Sequence, residues 1–259
     1  MRLLIINPGS TSTKIAVYDE MTPLMVENIR HSVEELSRFE KVSDQFEYRR
    51  DLVLKTLAQK GLPLKFDAVV ARGGLLKPIE SGVYAVNDRM LKEIEHPMRN
   101  HACNLGCRIG IDITQRAGGC PALTADPGVV DEMIDEARIS GSPLMPRITT
   151  WHALNQRAIA RRFAAEHGTH YEDLNLIIAH LGGGISVAAH MKGRCIDVNN
   201  AFEGEGPYSP ERAGSLPTGA LIELCYSQKY TIAQLKKRIS GDAGLAGHLG
   251  TTDVAEIVE

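Results

Sequence analysis

The sequence has no long apolar run, no block of like charge and no low-complexity tract. A helix that crosses a bilayer needs roughly 20 apolar residues, and no stretch approaches that length. The formal net charge is only −3, so neither nucleic acid nor an anionic membrane is expected as a partner. The opening apolar run is too short for a signal peptide, and a soluble cytoplasmic protein is therefore the default expectation.

Cysteine is sparse as well. The five cysteines are an odd number without paired spacing, which favours reduced thiols in a cytosol over a disulfide framework. Four potential metal ligands crowd one segment, namely His96, His101, Cys103 and Cys107. Their spacing matches no zinc template, so a helix with half-buried thiols is the better interpretation.

What the chain does contain is an ordinary globular composition, with 43% hydrophobic and 24% charged residues in 259 positions. That length suits one large or two modest domains. Short apolar runs alternate with helical patterns, which predicts an α/β fold. The predicted strands cover residues 3–6, 14–18, 24–29, 67–71, 121–125, 176–180, 185–190 and 194–198, and the predicted helices cover residues 43–60, 104–116 and 150–166.

A pattern of strand, glycine turn and strand occurs twice, over residues 3–18 and 176–191, with turns of different length. An internal repeat at this distance implies two like-built halves that face one another. A cleft between such halves is a natural place for a ligand. We place the boundary near residue 150, which gives an N-terminal lobe over residues 1–150 and a C-terminal lobe over residues 151–259.

The first turn combines a glycine, several hydroxyls and one cation. Its candidate ligand-binding residues are Asn7, Ser10, Ser12 and Lys14. Such a loop suits phosphate oxygens. It is not the P-loop, because the sequence after the lysine is β-like instead of helical. A polar hairpin is the alternative, since these residue types are common in turns.

The second turn follows His180 and leaves the backbone bare over Gly182, Gly183 and Gly184. Three glycines in a row cost conformational entropy, so a close ligand or a strained turn is expected. A glycine-rich hairpin is the alternative. Two glycine turns at equivalent places of a repeat suggest two clamps on one polyphosphate.

Four further residues are candidates because of where they stand: Arg72, Asp126, His152 and Arg212. Arg72 ends a buried strand, where α/β ligands bind, and Arg212 lies in a Gly- and Pro-rich loop that is too long to be only a spacer. A guanidinium can bind carboxylate or phosphate through two parallel hydrogen bonds, although most single arginines are solvated surface charges. Asp126 is a ligand-side carboxylate or the start of a turn, and a lone histidine such as His152 is more often structural.

Together these segments resemble the butyrate kinases, in the acetate kinase branch of the superfamily that also holds sugar kinases and actin. The resemblance spans essentially the whole chain in family order, and it rests on residues 7–14, 71–74, 125–127, 152–156, 180–184 and 210–214. Two features resemble butyrate rather than acetate kinases, namely Pro8 in the first motif and the Ala-Arg-Gly-Gly sequence at residues 71–74. The resemblance implies two similar ribonuclease H-like lobes of mixed sheet flanked by helices, with an inter-lobe cleft.

The resemblance also implies an activity, the reversible transfer of the ATP γ-phosphoryl group to butyrate or a related short or branched carboxylate. Arg72 and Arg212 would then neutralise the carboxylate and the transferring phosphoryl group. His180 and His152 would donate hydrogen bonds to phosphoryl oxygens in the transition state. The resemblance also implies that phosphate or magnesium-bound water is held by Asn7, Ser10, Ser12 and Lys14. Nucleotide phosphate would bind along Gly182, Gly183 and Gly184. Asp126 would order an arginine or Mg²⁺.

The family members continue past Glu259 by roughly a hundred residues, the size of a small domain. The second lobe is therefore expected to be incomplete, because in relatives that tail carries a glycine-rich adenosine segment and a late glutamate near the magnesium. A truncated, non-catalytic fragment that binds nucleotide or acyl phosphate is the alternative. A phosphatase or heat-shock-type ATPase shares glycine turns but gives no reason for the Arg72 and Arg212 motifs. A homo-oligomer is expected.

Overall fold

The computed structural model describes residues 1–97 and 100–258. The chain divides into two compact units, Met1–Val129 and Val130–Glu259, whereas the sequence placed the boundary near residue 150. The intervening segment packs within the second unit. The Trp151 indole donates a 2.7 Å hydrogen bond to the Val130 carbonyl, and both side chains share an apolar cluster with Ala188 and Val198.

The first unit is built on one mixed sheet. Its elements are β1 (Arg2–Pro8), β2 (Ser12–Asp19), β3 (Thr22–Arg30), α1 (Val33–Leu36), α2 (Phe46–Gln59), β4 (Ala68–Ala71), β5 (Val83–Ala85), α3 (Asp88–Glu95), α4 (Leu105–Arg116) and β6 (Ala122–Ala125). The strand order is β3-β2-β1-β4-β6-β5, and β1 pairs antiparallel with β2 and parallel with β4. Helices α2 and α4 pack on this sheet through Val53, Leu57, Ile109 and Ile113.

The second unit contains a three-stranded sheet in the order β7-β8-β9. Its elements are α5 (Ala153–Glu166), β7 (Asn175–Leu181), β8 (Ile185–Met191), β9 (Arg194–Val198), α6 (Thr218–Tyr226), α7 (Ile232–Ile239), α8 (Gly244–Leu249) and α9 (Val254–Val258). Both pairings in this sheet are antiparallel. The predicted strand at residues 194–198 matches β9.

The two sheets begin with the same antiparallel meander, β1-β2-β3 in the first unit and β7-β8-β9 in the second. In each meander the second connection passes through a non-glycine residue in the left-handed region, Glu20 with φ 52° and Lys192 with φ 46°. The first connections differ as expected, because the last pairs are Pro8 with Thr13 and Leu181 with Ile185. The predicted repeat and α/β class are confirmed; the cleft stays a prediction.

The cysteine-rich segment is more buried than the sequence suggested. Cys103 is 4% exposed and Cys107 is fully buried, whereas half-buried thiols were expected. Cys103 lies just before α4 and packs with Leu75, Leu76 and Val129, whereas Cys107 lies on α4 and packs with Val86 and Ala122. Burial raises the pKa of the Cys103 thiol to about 11. Over the part of the chain that the structure describes, no helix is long and apolar enough to cross a membrane.

Candidate active site

The first turn is a tight connection between β1 and β2, closed by a 2.7 Å hydrogen bond from Gly9 N to Ser12 O. Asn7 and Lys14 are direct cross-strand partners, so their side chains leave the same face of the hairpin. Ser10 and Lys14 are exposed, and Asn7 and Ser12 are partly buried. The structure thus gathers the four predicted phosphate ligands at one end of this hairpin.

A residue that the sequence analysis missed holds this turn from beneath. Arg49 on α2 is 1% exposed. Its Nη1 donates to the carbonyl oxygens of Gly9 at 2.9 Å and Ser12 at 3.2 Å and to Thr13 Oγ1 at 3.1 Å. Its Nη2 donates to the Ser10 carbonyl at 3.2 Å. One guanidinium therefore gathers four oxygens of the turn and its edge.

The signal for Arg49 was in the helix register. Phe46, Val53 and Leu57 mark the inward face of α2, and Arg49 stands three residues after the first and four before the second. Residues at these spacings share one face of a helix. An arginine on the apolar face of a predicted helix therefore indicated a buried side chain. Only the folded structure shows that its guanidinium contacts the turn.

A buried polar chain continues from Thr13, whose Oγ1 lies 2.9 Å from His31 Nε2. Thr13 Oγ1 accepts a hydrogen bond from Arg49 Nη1. The other ring nitrogen of His31, Nδ1, lies 3.3 Å from the Tyr48 hydroxyl. Burial, and secondarily the charge of Arg49, lower the pKa of His31 to about 4. The ring is therefore neutral at pH 7.

The structure brings Arg72 to the same turn, because its Nη1 lies 3.5 Å from Asn7 Oδ1. The glycines after Arg72 are required by close packing. A Cβ on Gly73 would lie 2.5 Å from Thr124 Oγ1, and one on Gly74 would lie 2.9 Å from the Asn104 Cα. The backbone that carries Arg72 is thus fixed against its neighbours.

Asp126 is 5% exposed and has a left-handed φ of 36°. Its N–H donates to the Gly82 carbonyl at 2.9 Å, and its Oδ1 accepts the Gly82 N–H at 2.8 Å. Both bonds tie Asp126 to Gly82, just before β5, and each of the two predicted roles stays a prediction. Strained backbone at a non-glycine residue is concentrated at functional sites, so this geometry is compatible with the ligand-side role.

In the second unit, His152 and His180 lie together. Their rings stack with centroids 3.7 Å apart and planes 6° apart. Asn155 Nδ2 donates to His180 Nδ1 at 2.9 Å, so the neutral His180 ring carries its proton on Nε2. Gln156 donates to Ser186 Oγ, which lies 2.9 Å from His152 Nδ1. Ser186 Oγ thus links the Gln156 amide to the His152 ring.

The three glycines of the second turn are needed because side chains pass close to each of them. A Cβ on Gly182 would lie 2.8 Å from His180 Nε2. A Cβ on Gly183 would lie 3.2 Å from the Glu211 carboxyl carbon, and one on Gly184 would lie 2.8 Å from Arg212 Cζ. None of the three has a positive φ. Close approach, and not a left-handed backbone, therefore explains the glycines.

Arg212 is held beside this turn by its own contacts. Its Nη1 donates to the Ala201 carbonyl, and its Cζ lies 4.8 Å from the centre of the Phe202 ring. The loop that carries it is tied to the turn by Ser209 Oγ, which donates to the Gly183 carbonyl at 2.6 Å. The structure thus gathers His152, His180, the glycine turn and Arg212 within the second unit.

The comparisons with known proteins identify the family. Residues 147–259 match the acetokinase family. Over 259 residues the chain is 64% identical to a protein named probable butyrate kinase from Bacteroides thetaiotaomicron, and it covers 73% of that protein. It is 50% identical over 258 residues to butyrate kinase 2 of Clostridium acetobutylicum, of which it covers 72%. The chain belongs to the butyrate kinase branch of the acetokinase family.

This butyrate kinase family member also resembles solved structures. An acetate kinase from Porphyromonas gingivalis matches with a TM-score of 0.74 at 19% identity, over 99% of this chain and 72% of that one. A propionate kinase from Francisella tularensis matches with a TM-score of 0.69 at 17% identity, over the same shares. Identities this low show the fold alone. The family suggested by the sequence motifs and the predicted fold class are both confirmed.

Proposed function

We propose that the chain is a carboxylate kinase that transfers the γ-phosphoryl group of ATP to butyrate or a related short or branched acid. The observation that carries this proposal is the 64% identity over the whole chain with a protein named probable butyrate kinase. The products are an acyl phosphate and ADP, and the reaction is reversible. No general base is needed, because a carboxylate is already ionised at neutral pH.

The first unit would bind the carboxylate and the phosphoryl group. Phosphoryl transfer depends mainly on positioning and on neutralisation of charge. The Arg72 guanidinium, 3.5 Å from Asn7 Oδ1, would pair with an oxyanion through its planar fork. The hydroxyls of Ser10 and Ser12 and the ammonium of Lys14 would hold phosphate oxygens at the β1–β2 turn.

The second unit would bind the nucleotide phosphates along Gly182, Gly183 and Gly184. His180 would donate its Nε2–H to a phosphoryl oxygen, because Asn155 already occupies Nδ1. His152 would donate in the same way, since its Nδ1 is engaged by Ser186. Arg212 would neutralise the transferring group. Donors fixed before the reaction stabilise charge that develops in the transition state.

Magnesium would neutralise the phosphate oxygens. This ion usually keeps several waters and takes one or two carboxylates together with substrate phosphates. Over residues 1–97 and 100–258, no group of three or more His, Cys, Asp or Glu side chains could hold a metal ion. A magnesium site that is completed by oxygens of the nucleotide phosphates needs few protein ligands, which agrees with this finding. Asn7 and Asp126 would hold magnesium-bound water.

The substrate class is tested by trapping the acyl phosphate with hydroxylamine. Purified protein is incubated with Mg-ATP and, separately, acetate, butyrate, isobutyrate or glucose. We expect acyl hydroxamate from butyrate and isobutyrate, and less from acetate. ADP formation that depends on glucose but not on any carboxylate would refute the proposal.

The comparisons give no support to the alternative of a fragment that binds nucleotide without turnover. That alternative predicts ATP binding in calorimetry together with no hydroxamate from any acid. The carboxylate kinase predicts both binding and turnover. The two measurements on one preparation therefore separate the enzyme from the binder.

A further inference from the structure

Arg49 is a buried cation whose hydrogen-bond acceptors are all neutral. Its Nε and Nη2 donate to Gln45 Oε1 at 2.9 and 2.8 Å, and its remaining bonds go to the carbonyls and hydroxyl of the first turn. Over the described residues no carboxylate pairs with it. The buried arginine of the second unit differs, because Arg157 Nη1 lies 3.7 Å from Glu132 Oε2.

An ionised group buried without a counter-charge is costly. A guanidinium does not relieve this cost by losing its proton, because it stays charged at neutral pH. An anion seated at the turn would supply the missing negative charge. The free energy of that attraction would stabilise the bound anion, since a partly buried pair is screened less than an exposed one.

The hydrogen bonds of Arg49 also set the direction of the turn's peptide groups. The carbonyls of Gly9 and Ser10 point to the guanidinium. In a trans peptide the C=O and the following N–H point in opposite directions, and no peptide bond over the described residues is cis. The N–H groups of Ser10 and Thr11 therefore point away from Arg49. In the described part of the chain no backbone acceptor takes either of them.

We propose that Arg49 is a positioning residue that holds the first turn in an anion-binding form, by its forked hydrogen bonds and by its uncompensated charge. Successive backbone N–H groups that point to one side form an anion-binding concavity. The ligand class is a phosphate or phosphoryl oxyanion. This inference rests on the proposed function, because that function requires such an anion at the first turn.

The test measures the affinity for inorganic phosphate by NMR titration in Arg49→Gln, Arg49→Lys and Arg50→Gln. Arg50 is the matched control, since it is the next residue of the same helix and its charge is engaged by Asp51 at 2.8 Å. We expect Arg49→Gln to weaken phosphate binding by about tenfold or more, because a buried charge is screened little and its fork orients the turn. Arg50→Gln should change the affinity by less than about twofold.

Arg49→Lys keeps the charge but loses the fork, so it should restore only part of the affinity. Phosphate binding within twofold of the unaltered protein in a folded Arg49→Gln or Arg49→Lys protein would overturn the inference. If neither variant folds, the inference is tested on the unaltered protein. Its Arg49 guanidinium N–H resonance should shift on addition of phosphate, and an unchanged resonance or absent phosphate binding would also overturn the inference.

The outcome is distinguishable from that of the proposed function. Kinase activity on butyrate together with phosphate binding that is indifferent to Arg49 would refute this inference alone. Phosphate binding that depends on Arg49, in a protein that makes no acyl phosphate, would refute the proposed function and retain the inference.

Discussion

The two hairpin turns stand at matching places in the two units, but different groups support them. Thr13 and Ser186 are both the second residue of the second strand, and both are fully buried. A charged side chain, Arg49, donates to Thr13, whereas the neutral Gln156 donates to Ser186. The repeated scaffold therefore carries a buried cation under one turn and a neutral amide under the other.

The surroundings of the turns differ in a complementary way. The first turn keeps its polar groups on its outer side, with Ser10 and Lys14 exposed. The second turn is crowded by the side chains of His180, Glu211 and Arg212, which approach its glycines closely. The first turn thus presents its own side chains to solvent, whereas the bare backbone of the second turn is surrounded by side chains of the flanking segments. A repeated fold can serve two roles because function depends on the side chains placed upon it.

The largest expected effect comes from the two arginines, Arg72 and Arg212. Arginine stabilisation of a phosphoryl transition state is worth about 10³ to 10⁵ in rate, so replacement of either by alanine should lower kcat by about 10³ or more. Arg72→Ala should leave the melting temperature nearly unchanged. Arg212→Ala should also lower the free energy of unfolding by about 1–3 kcal/mol, because it removes the bond to Ala201 and the contact with Phe202.

Kinetics and thermal unfolding of the two variants, measured side by side, check this contrast. Arg72→Lys serves as the control and should recover only part of the rate, since an ammonium cannot span two oxygens. Near-normal kcat in Arg72→Ala or Arg212→Ala would remove that arginine from the proposed site. Loss of activity that follows unfolding alone would assign the arginine a structural role.

A smaller effect is expected from a matched pair of glycine substitutions. A Cβ on Gly184 would lie 2.8 Å from Arg212 Cζ, whereas a Cβ on Gly9 would lie 3.4 Å from the nearest atom, Ser12 O. Gly184→Ala should displace the guanidinium and lower kcat by about 10- to 100-fold, since a misplacement of about 1 Å can cost that much. Gly9→Ala should lower kcat by less than about threefold. Equal losses in the two variants would contradict the proposed difference between the turns.

The smallest effect concerns pH, because each unit buries a histidine: His31 Nε2 lies 2.9 Å from Thr13 Oγ1, and His190 Nε2 lies 2.9 Å from Gln156 Oε1. Burial is the main cause that lowers the pKa of both His31 and His190 to about 4, with a second contribution from Arg49 and Arg157 respectively. Between about pH 6.5 and 4 the unfolded chain therefore binds protons that the folded chain does not. The stabilisation is fully present above pH 6.5 and is lost as the pH falls towards 4.

Urea unfolding at pH 7.5 and pH 5 measures this loss. We expect a decrease in the free energy of unfolding of about 1–2 kcal/mol for each histidine at the lower pH. His31→Asn and His190→Asn should each remove their own share of the pH dependence. A variant with the same pH dependence as the unaltered protein would show that its histidine does not titrate as described.

Much of the strand pattern could be predicted from local sequence. Apolar runs and glycine turns located the two meanders, and β9 (Arg194–Val198) was predicted to the residue. The short strand β5 (Val83–Ala85) was missed because its three residues are exposed or partly buried and give no apolar run. Helices α1 (Val33–Leu36), α3 (Asp88–Glu95) and α6 to α8 were not predicted.

The residues beneath the turns were harder to predict than those on them. Asn7 and Lys14 carry polar groups in an obvious turn, whereas Arg49 and Gln156 lie on helices that are distant in sequence from the strands they support. A polar side chain in a helix is usually solvated, and only tertiary packing shows which ones are buried. For Arg49 the local clue was the register of α2 (Phe46–Gln59), whereas Gln156 stood inside the motif at residues 152–156 without an assigned role.

The central claim is that this chain phosphorylates a carboxylate, and ³¹P NMR tests it most directly. Protein, butyrate and Mg-ATP are followed in one tube, and butyryl phosphate and ADP are then supplied to a second sample. We predict an acyl phosphate signal that grows with ADP in the first sample, and ATP formation in the second. ATP hydrolysis to inorganic phosphate without any acyl phosphate, and no ATP formation in the reverse direction, would contradict the account.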